Sequence, residues 1–396
     1  MKKINTLCAM GGVVAGLMAN GVVYAESASL LSADRTSLFT ESINNTEFMK
    51  DLGLSVGGWI DFGSTYNFKT PRDNNNTPIT FNDRHLEFQL NQFYYYVERA
   101  VNTGGNSWDI GGRADFLFGT DGRFTLNAGL DDDLLDDDFS RFYRISAPQI
   151  YAEVYAPIFN GVTAKIGHFY TIIGNEVVTS PDNFFYSHAY TMQYAEPFEH
   201  NGFLLTTPIN DNLTLMAGGV LGWDNFDNDL DIWNFLGGIS WSSDDEKSGV
   251  TVTASVGPTA DSDHDDENNR WLYSVVATHD ITDNLHYLIQ HDHGEEEVGN
   301  IKAEWYGINQ YLSYDLSDQL AVGIRGEWFR DDDGARVTGA AGNYFGVTAG
   351  INYAITGWLK IRPEVRYDWF DGQDDPFDSS TSDDQVTVAA DVIVTF

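Results

Sequence analysis

The pattern of the chain predicts an all-β fold, a transmembrane antiparallel β-barrel of about sixteen strands, and three observations lead there. Segments of roughly ten residues alternate apolar and polar side chains with period two. Their connections alternate between short and long, and charges inside the segments keep to the face opposite the apolar one. In a bilayer every backbone N–H and C=O needs a partner, so strands showing apolar residues outward work only when closed into a barrel.

Taken from the start, Met1-Lys2-Lys3 is a short basic opening, followed by a largely apolar stretch to Val23 and the small-residue site at Ala25. This reads as a signal peptide over residues 1–25, since Gly11, Gly12, Asn20 and Gly21 dilute the run below what a membrane anchor needs. Its removal takes away Cys8, the one cysteine, together with Lys2 and Lys3, so the formal net charge moves from −37 to −39. Disulfide-stapled secreted folds are thereby excluded. Such acidity also argues against nucleic acid as a partner. Residues 26–52 carry Leu38, Phe39, Ile43, Phe48 and Met49 at loosely helical spacing, which suits either a periplasmic tail or a short helix entering the barrel.

The barrel is expected over residues 53–396, as one domain with no linker dividing it. In the first strand Leu54, Val56, Ile60, Phe62, Tyr66 and Phe68 share one face; Ser55, Asp61, Thr65 and Asn67 share the other. Further strands are expected around 84–98, 107–118, 148–157, 161–170, 201–208, 212–222, 233–242 and 249–257. Later ones fall around 271–280, 285–293, 302–314, 320–330, 343–355, 358–370 and 385–396. Phe93, Tyr95 and Val97 have the opposite parity to Leu86, Phe88 and Leu90, which a bulge or an interfacial aromatic girdle would explain. Residues 302–314 are ambiguous as well, so fourteen or eighteen strands remain compatible with the pattern.

Short turns fall at 99–106, 157–161, 208–211, 243–248, 281–284, 315–319 and 356–357. Long segments, many of them acidic, fall at 69–83, 119–147, 171–200, 223–232, 258–270, 294–301, 331–342 and 371–384. Short periplasmic turns and long extracellular loops are the habit of outer-membrane barrels, and an even strand number leaves both termini in the periplasm. The last strand alternates Val386, Val388, Ala390, Val392, Val394 and Phe396 with Gln385, Thr387, Ala389, Asp391, Ile393 and Thr395, and its edge should pair with the strand near Leu54. A terminal aromatic such as Phe396 resembles the assembly signal of outer-membrane proteins, which makes the assembly machinery an expected partner.

Charge placement is the sharpest test, because a cation at the lipid midplane costs about 2–4 kcal/mol. Lys360, Arg362, Glu364, Arg366 and Asp368 oppose Leu359, Ile361, Val365, Tyr367 and Trp369. Arg325 and Glu327 oppose Ile324 and Trp328, Arg113 and Asp115 oppose Ile110 and Phe116, and Lys165 opposes Ile166. A polar, mixed-charge interior in a barrel of this size implies a water-filled channel.

Residues 171–200 form a long aromatic connection, with Phe184, Phe185, Tyr186, Tyr190, Tyr194 and Phe198. One reading folds it inward, so that Glu176, Asp182, Glu196 or Glu199 face Lys360, Arg362 and Arg366 across a narrowed lumen in a transverse field. The other packs the aromatics against the rim. Both predict an ordered segment.

Several motifs resemble the OmpL-like β-barrel porins of Gram-negative bacteria. They are Gly58-Trp59-Ile60-Asp61, Tyr66-Asn67-Phe68, Leu90-Asn91-Gln92, Lys165-Ile166-Gly167-His168-Phe169, Gly174-Asn175-Glu176, Pro181-Asp182-Asn183 and Phe185-Tyr186-Ser187, continuing through Glu196-Pro197-Phe198, Asn201-Gly202 and Gly222-Trp223-Asp224. The resemblance implies passive diffusion of ions and small hydrophilic solutes, and brings no binding residues with it.

Acidic runs at 131–133, 136–138, 261–267 and 331–333 offer hard oxygen ligands. The run at Asp261, Asp263 and Asp265 fails as an EF-hand, with Asp266 at the sixth position and Leu272 at the twelfth. A solvated face, or weak cation bridging to lipopolysaccharide, is the remaining use. His291 and His293 share a strand face without an assignable third ligand, and no nucleophile motif points to an enzyme or a cofactor. The sequence thus reads as an outer-membrane porin with a cation bias expected from its acids. The alternative is a blocked barrel serving as an adhesin or surface structural protein. Lipid and lipopolysaccharide are the expected surroundings, and a homotrimer is compatible with the pattern but not specified by it.

Overall fold

The computed structural model describes residues 37–135, 142–226, 232–259, 269–298 and 301–396. The expected leader and the acidic runs at 136–138 and 261–267 lie outside these. Seventeen strands form a single antiparallel sheet that closes on itself. They are β1 Ser55–Asn67, β2 Gln89–Arg99, β3 Asp109–Gly119, β4 Arg144–Ser146, β5 Ile150–Ala156, β6 Val162–Tyr170, β7 Glu199–Asn210, β8 Leu213–Val220 and β9 Asn234–Ser242. The circuit continues with β10 Ser248–Pro258, β11 Asn269–Thr282, β12 Leu285–Val298, β13 Ile301–Ser317, β14 Leu320–Asp331, β15 Gly342–Thr356, β16 Leu359–Gly372 and β17 Asp384–Thr395.

The barrel has sixteen staves, because β4 and β5 are two pieces of one. Both pair with β3, Leu117 opposite Ser146 and Ala114 opposite Ile150. Pro148 falls in the gap, where a residue without an N–H cannot serve the ladder. Closure runs from Trp59 opposite Thr395 to Asn67 opposite Thr387, and Gly58 and Phe396 exchange both backbone hydrogen bonds at 3.1 and 2.9 Å. The terminal strand is therefore the closing stave.

Alternation holds around the wall. Asp391, Arg366, Arg325 and Asp61 are buried inside, whereas Val388, Val365, Ile324 and Ile166 are exposed outside, where lipid would cover them. The parity change in β2 is a bulge: Asp61 pairs with Gln92 and Phe62 with Leu90, leaving Asn91 as the extra residue. Phe88 before the bulge and Phe93 and Tyr95 after it consequently share the outer surface. The expected start of this strand at residue 84 is corrected, since 84–88 belong to the preceding connection and the strand begins at Gln89. In β13 the inward residues include Ala303, Trp305 and Asn309, so a large indole sits on the lumen face and inverts the usual signal.

Among the described residues two short helices, α1 Thr40–Asn44 and α2 Glu47–Leu52, precede β1. Thr46 caps α2 through the Met49 N–H, and Gly53 ends it with a left-handed φ of 65°. They do not enter the barrel. Asn44 bonds the Val56 N–H and C=O, both at 2.9 Å, and Phe39 stacks on Phe396, which places them beneath the β1–β17 seam. No described helix is long and apolar enough to cross a membrane.

Candidate functional site: an inward loop on a charged wall

The connection between β6 and β7 enters the lumen and touches both sides of it. Ile172 and Ile173 pack with Leu204, Met216, Leu236 and Leu272 on the wall of β7, β8, β9 and β11. The chain then reaches Gln290 on β12, where the Asn175 N–H donates at 3.0 Å, and Gln92 on β2, whose amide donates to the Val178 carbonyl at 2.7 Å. It turns at Gly174, whose φ is +83° and where a Cβ would sit 1.8 Å from a Glu196 carboxylate oxygen. Only glycine fits there. Gly63 gives similar room to the Tyr186 ring.

An irregular segment inside a barrel carries unpaired backbone groups, which the protein must satisfy. The charged strand faces do this. Arg362 donates to the carbonyls of Ser180, Asn183 and Phe185 at 2.8, 2.7 and 3.0 Å. Arg325 donates to the Ser187 carbonyl and Arg366 to that of His188, each at 2.7 Å. In the other sense, Glu364 accepts from the Tyr186 and Ser187 N–H groups at 2.9 and 3.2 Å, and Glu327 from that of Tyr190 at 2.7 Å. Lys360 reaches the Pro181 carbonyl at 3.1 Å. Every charged position expected on β14 and β16 thus grips the loop.

The expected transverse field is corrected by this arrangement. Arginines and carboxylates neutralise one another at contact instead of facing across water. Glu176 meets Arg325 at 2.7 Å; Arg362 is held by Asp391, and Arg366 by Asp368 at 2.8 Å and Glu327 at 3.2 Å. Glu199 opens β7, accepts from the Asn127 amide and lies 3.2 Å from the His168 ring, away from the arginines. Glu196 shares the Gln290 amide with Asp292, each accepting at 2.6 Å.

The loop carboxyls respond to these surroundings in opposite ways. Burial alone would raise Glu176, but the Arg325 guanidinium, His188 and the Ala189 N–H outweigh it and hold the group well below the usual carboxylate range. Burial and the neighbouring Asp292 carboxylate push Glu196 well above that range. Asp224, which accepts from the Phe198 and Glu199 N–H groups at 2.9 and 2.8 Å, is raised to about 6 by its burial.

Aromatic packing completes the dock. Tyr190 and Ala195 lie among Trp305, Phe329, Tyr344 and Phe370, with the Trp305 indole donating to the Ala195 carbonyl at 3.3 Å. Phe184 packs on Ala321 and Ala354. The first connection joins in, as Thr80 donates through its N–H and hydroxyl to Gln193 at 2.6 and 2.7 Å.

A second wall remains, on β2, β3, β5 and β6. Glu98, Arg113, Asp115, Glu153 and Lys165 point inward there, with Arg113 over the Tyr96 ring at 4.3 Å and Lys165 over that of Tyr151 at 4.5 Å. Asp182, exposed although the loop around it is buried, acts electrostatically on Tyr96. Of this group, only Lys165 and Asp182 were singled out from sequence as lining the lumen constriction; Arg113 and Asp115 entered only through their strand face. Glu98, Glu153 and Gln290 were missed, and the dock residues Asp61, Asp368 and Asp391 likewise entered only through their strand faces. Their inward parity was the signal that could have made them site candidates.

The His291 and His293 rings face outward among Trp271, Tyr273 and Tyr306, and His293 meets Glu304 at 2.8 Å. Among the described residues no group of three or more ligating side chains is set to hold a metal.

The comparison that decides the family covers the whole barrel: the model described as "Putative beta-barrel porin-2, OmpL-like" matches residues 53–396. The chain belongs to this family. No curated protein matches the sequence directly. Among solved structures, this OmpL-like porin resembles the anion-selective porin of Comamonas acidovorans at 10% identity and a TM-score of 0.61, over 87% of this chain and 99% of that one. It is also similar to the outer-membrane channel DcaP of Acinetobacter baumannii, at 11% identity and a TM-score of 0.57 over 87% and 98% of the two chains. OprB of Pseudomonas putida gives 10% identity and a TM-score of 0.57 over 92% and 99%. At such identities these structures speak for the fold alone: an outer-membrane porin barrel.

Proposed function

We propose that this OmpL-like porin passes ions and small hydrophilic solutes by passive diffusion with a preference for cations. One observation carries the preference. Docking of the loop occupies Arg325, Arg362 and Arg366, and on the second wall and the loop beside it Glu98, Glu153 and Asp182 stand, among the described residues, against Arg113 and Lys165, Asp115 being wholly buried and held by Arg113, Tyr94 and Gln149. An acid-rich strip in a narrow, partly desolvated passage favours cations. The anion selectivity of the Comamonas neighbour belongs to that protein. In this reading the channel is not an enzyme, residues 1–25 are removed as a leader, residues 26–52 form a periplasmic segment, and both termini face the periplasm. Phe396 serves assembly, lipopolysaccharide meets the long loops, and a homotrimer is supported by analogy with the OmpT of Vibrio cholerae, one of whose structures is described as a trimer form.

Reversal potentials in a planar bilayer under a potassium chloride gradient test the proposal, and an anion preference would defeat it. A blocked barrel is the second reading, favoured by the complete burial of Ala189, Tyr190 and Ala195 inside the lumen. Absence of conductance steps from folded protein would establish that reading; swelling of proteoliposomes in small sugars would exclude it.

A further inference from the structure

The segment beneath the seam leaves an apolar surface uncovered. Leu38, Phe39, Ile43, Phe48 and Leu52 are 50, 52, 44, 68 and 46% exposed, whereas Met49 is the buried apolar contact of α2. Phe39 and Ile43, and likewise Phe48 and Leu52, are four positions apart and share a helical face, and exposed apolar surface of this kind marks an interaction site. Its position says what covers it. Phe39 stacks on Phe396 with ring centroids 5.2 Å apart and planes within 6°, and Phe396 lies 6.1 Å from Phe93. Phe93 belongs to the outward, lipid-facing side of β2. The apolar face of the segment is therefore continuous with the lipid belt of the barrel. It is also anchored: Leu38 donates to the Thr395 carbonyl at 3.2 Å, and Asn44 holds both backbone groups of Val56. Exposed Glu41, Glu47, Lys50 and Asp51 supply a polar face for water.

The geometry points to residues 37–52 as an interfacial membrane anchor, whose apolar face lies among the phospholipid acyl chains of the leaflet at the short-turn end and covers the closing seam. Amphipathic segments bind there by burying their apolar side at the headgroup boundary. Unlike a tail, this anchor adds lipid contact at the one junction where the first and last strands meet.

Because Cys8 is the only cysteine and leaves with the leader in the reading above, the processed protein permits single labels. Nitroxides at Phe48→Cys, Asp51→Cys and Phe93→Cys, in vesicles of phosphatidylethanolamine and phosphatidylglycerol, report collision with dissolved oxygen against a water-soluble nickel chelate. The oxygen-to-nickel ratio at 48 is expected to be several-fold above that at 51 and close to that at 93. A nickel preference at 48 would place the segment in water and overturn the anchor; shielding from both probes would mean protein covers it, and would overturn it too. Loss of the oxygen preference at 93 would instead sink the membrane-barrel reading on which the inference rests. Phe48 is so exposed that the substitution removes little packing.

Discussion

Substituting Arg325 with Met removes one grip of the wall on the inward loop while keeping most of the side-chain volume. Arg325 is fully buried, and its guanidinium bonds the Glu176 carboxylate at 2.7 Å, the Ser187 carbonyl at 2.7 Å and the Thr348 hydroxyl at 3.2 Å. Its loss leaves the Glu176 carboxylate with the His188 ring, the Ala189 N–H and the Tyr311 hydroxyl but no guanidinium. Breaking a buried pair from one side costs about 3–5 kcal/mol. At roughly 1.4 kcal/mol per tenfold, the undocked population of the loop rises about 10²- to 10³-fold. The barrel itself should survive, since Arg325 lies in register opposite Tyr311 on one side and Thr348 on the other, and the backbone ladders of β13, β14 and β15 do not involve the guanidinium. The assay pairs single-channel conductance with limited proteolysis between residues 171 and 198, on protein whose strand content by circular dichroism matches the parent. Larger or flickering conductance and cleavage within the loop are expected. Adding Glu176→Gln should recover part of the loss, because the stranded charge is then gone. Unchanged conductance and full protection in Arg325→Met would refute the view that the charged wall is what holds the loop.

The two loop carboxyls predict opposite pH limits for docking. Glu176 titrates lower folded than unfolded, so its contribution is complete above the ordinary glutamate value near 4.3 and fades as pH falls toward its depressed folded value; Glu176→Gln should abolish this acid step in conductance. Glu196 titrates higher folded than unfolded, so its contribution is complete below about 4.3 and fades as pH rises through its elevated value; Glu196→Gln should remove that loosening, read by loop proteolysis across the range. Gly174→Ala combines an unfavourable left-handed φ, about 1–2 kcal/mol, with collision against Glu196, and should raise loop cleavage without altering the barrel's strand content. Neutralising Glu153 and Asp182 together should move the reversal potential toward anions, and an unmoved potential would remove these two from the selectivity strip.

The membrane barrel was legible because its physics is local. An alternation of period two and the sorting of Lys360, Arg362 and Arg366 away from Val365 and Tyr367 both follow from what lipid forbids, and need no knowledge of distant contacts. The closing edge could be anticipated for the same reason, since a barrel can leave no strand unpaired. The parity break near Phe93 was visible too, but only pairing could assign the extra residue to Asn91.

What the tertiary structure alone decided is where the charges spend themselves. Alternation can place Arg325 and Glu327 inside, yet a lumen face is the same in sequence whether it meets water or a folded loop. The meeting of Glu176 with Arg325, separated by 149 positions, depends on the path of residues 171–198 across the barrel. That path is set by many long-range contacts at once: Ile173 on one wall, Tyr190 on the other and the Gly174 turn between them. The sequence by itself determined a closed, charge-filled barrel; the fold decided that its arginines hold a loop, while Glu98 and Glu153 stand on another wall of the same lumen, where the proposal places the solute.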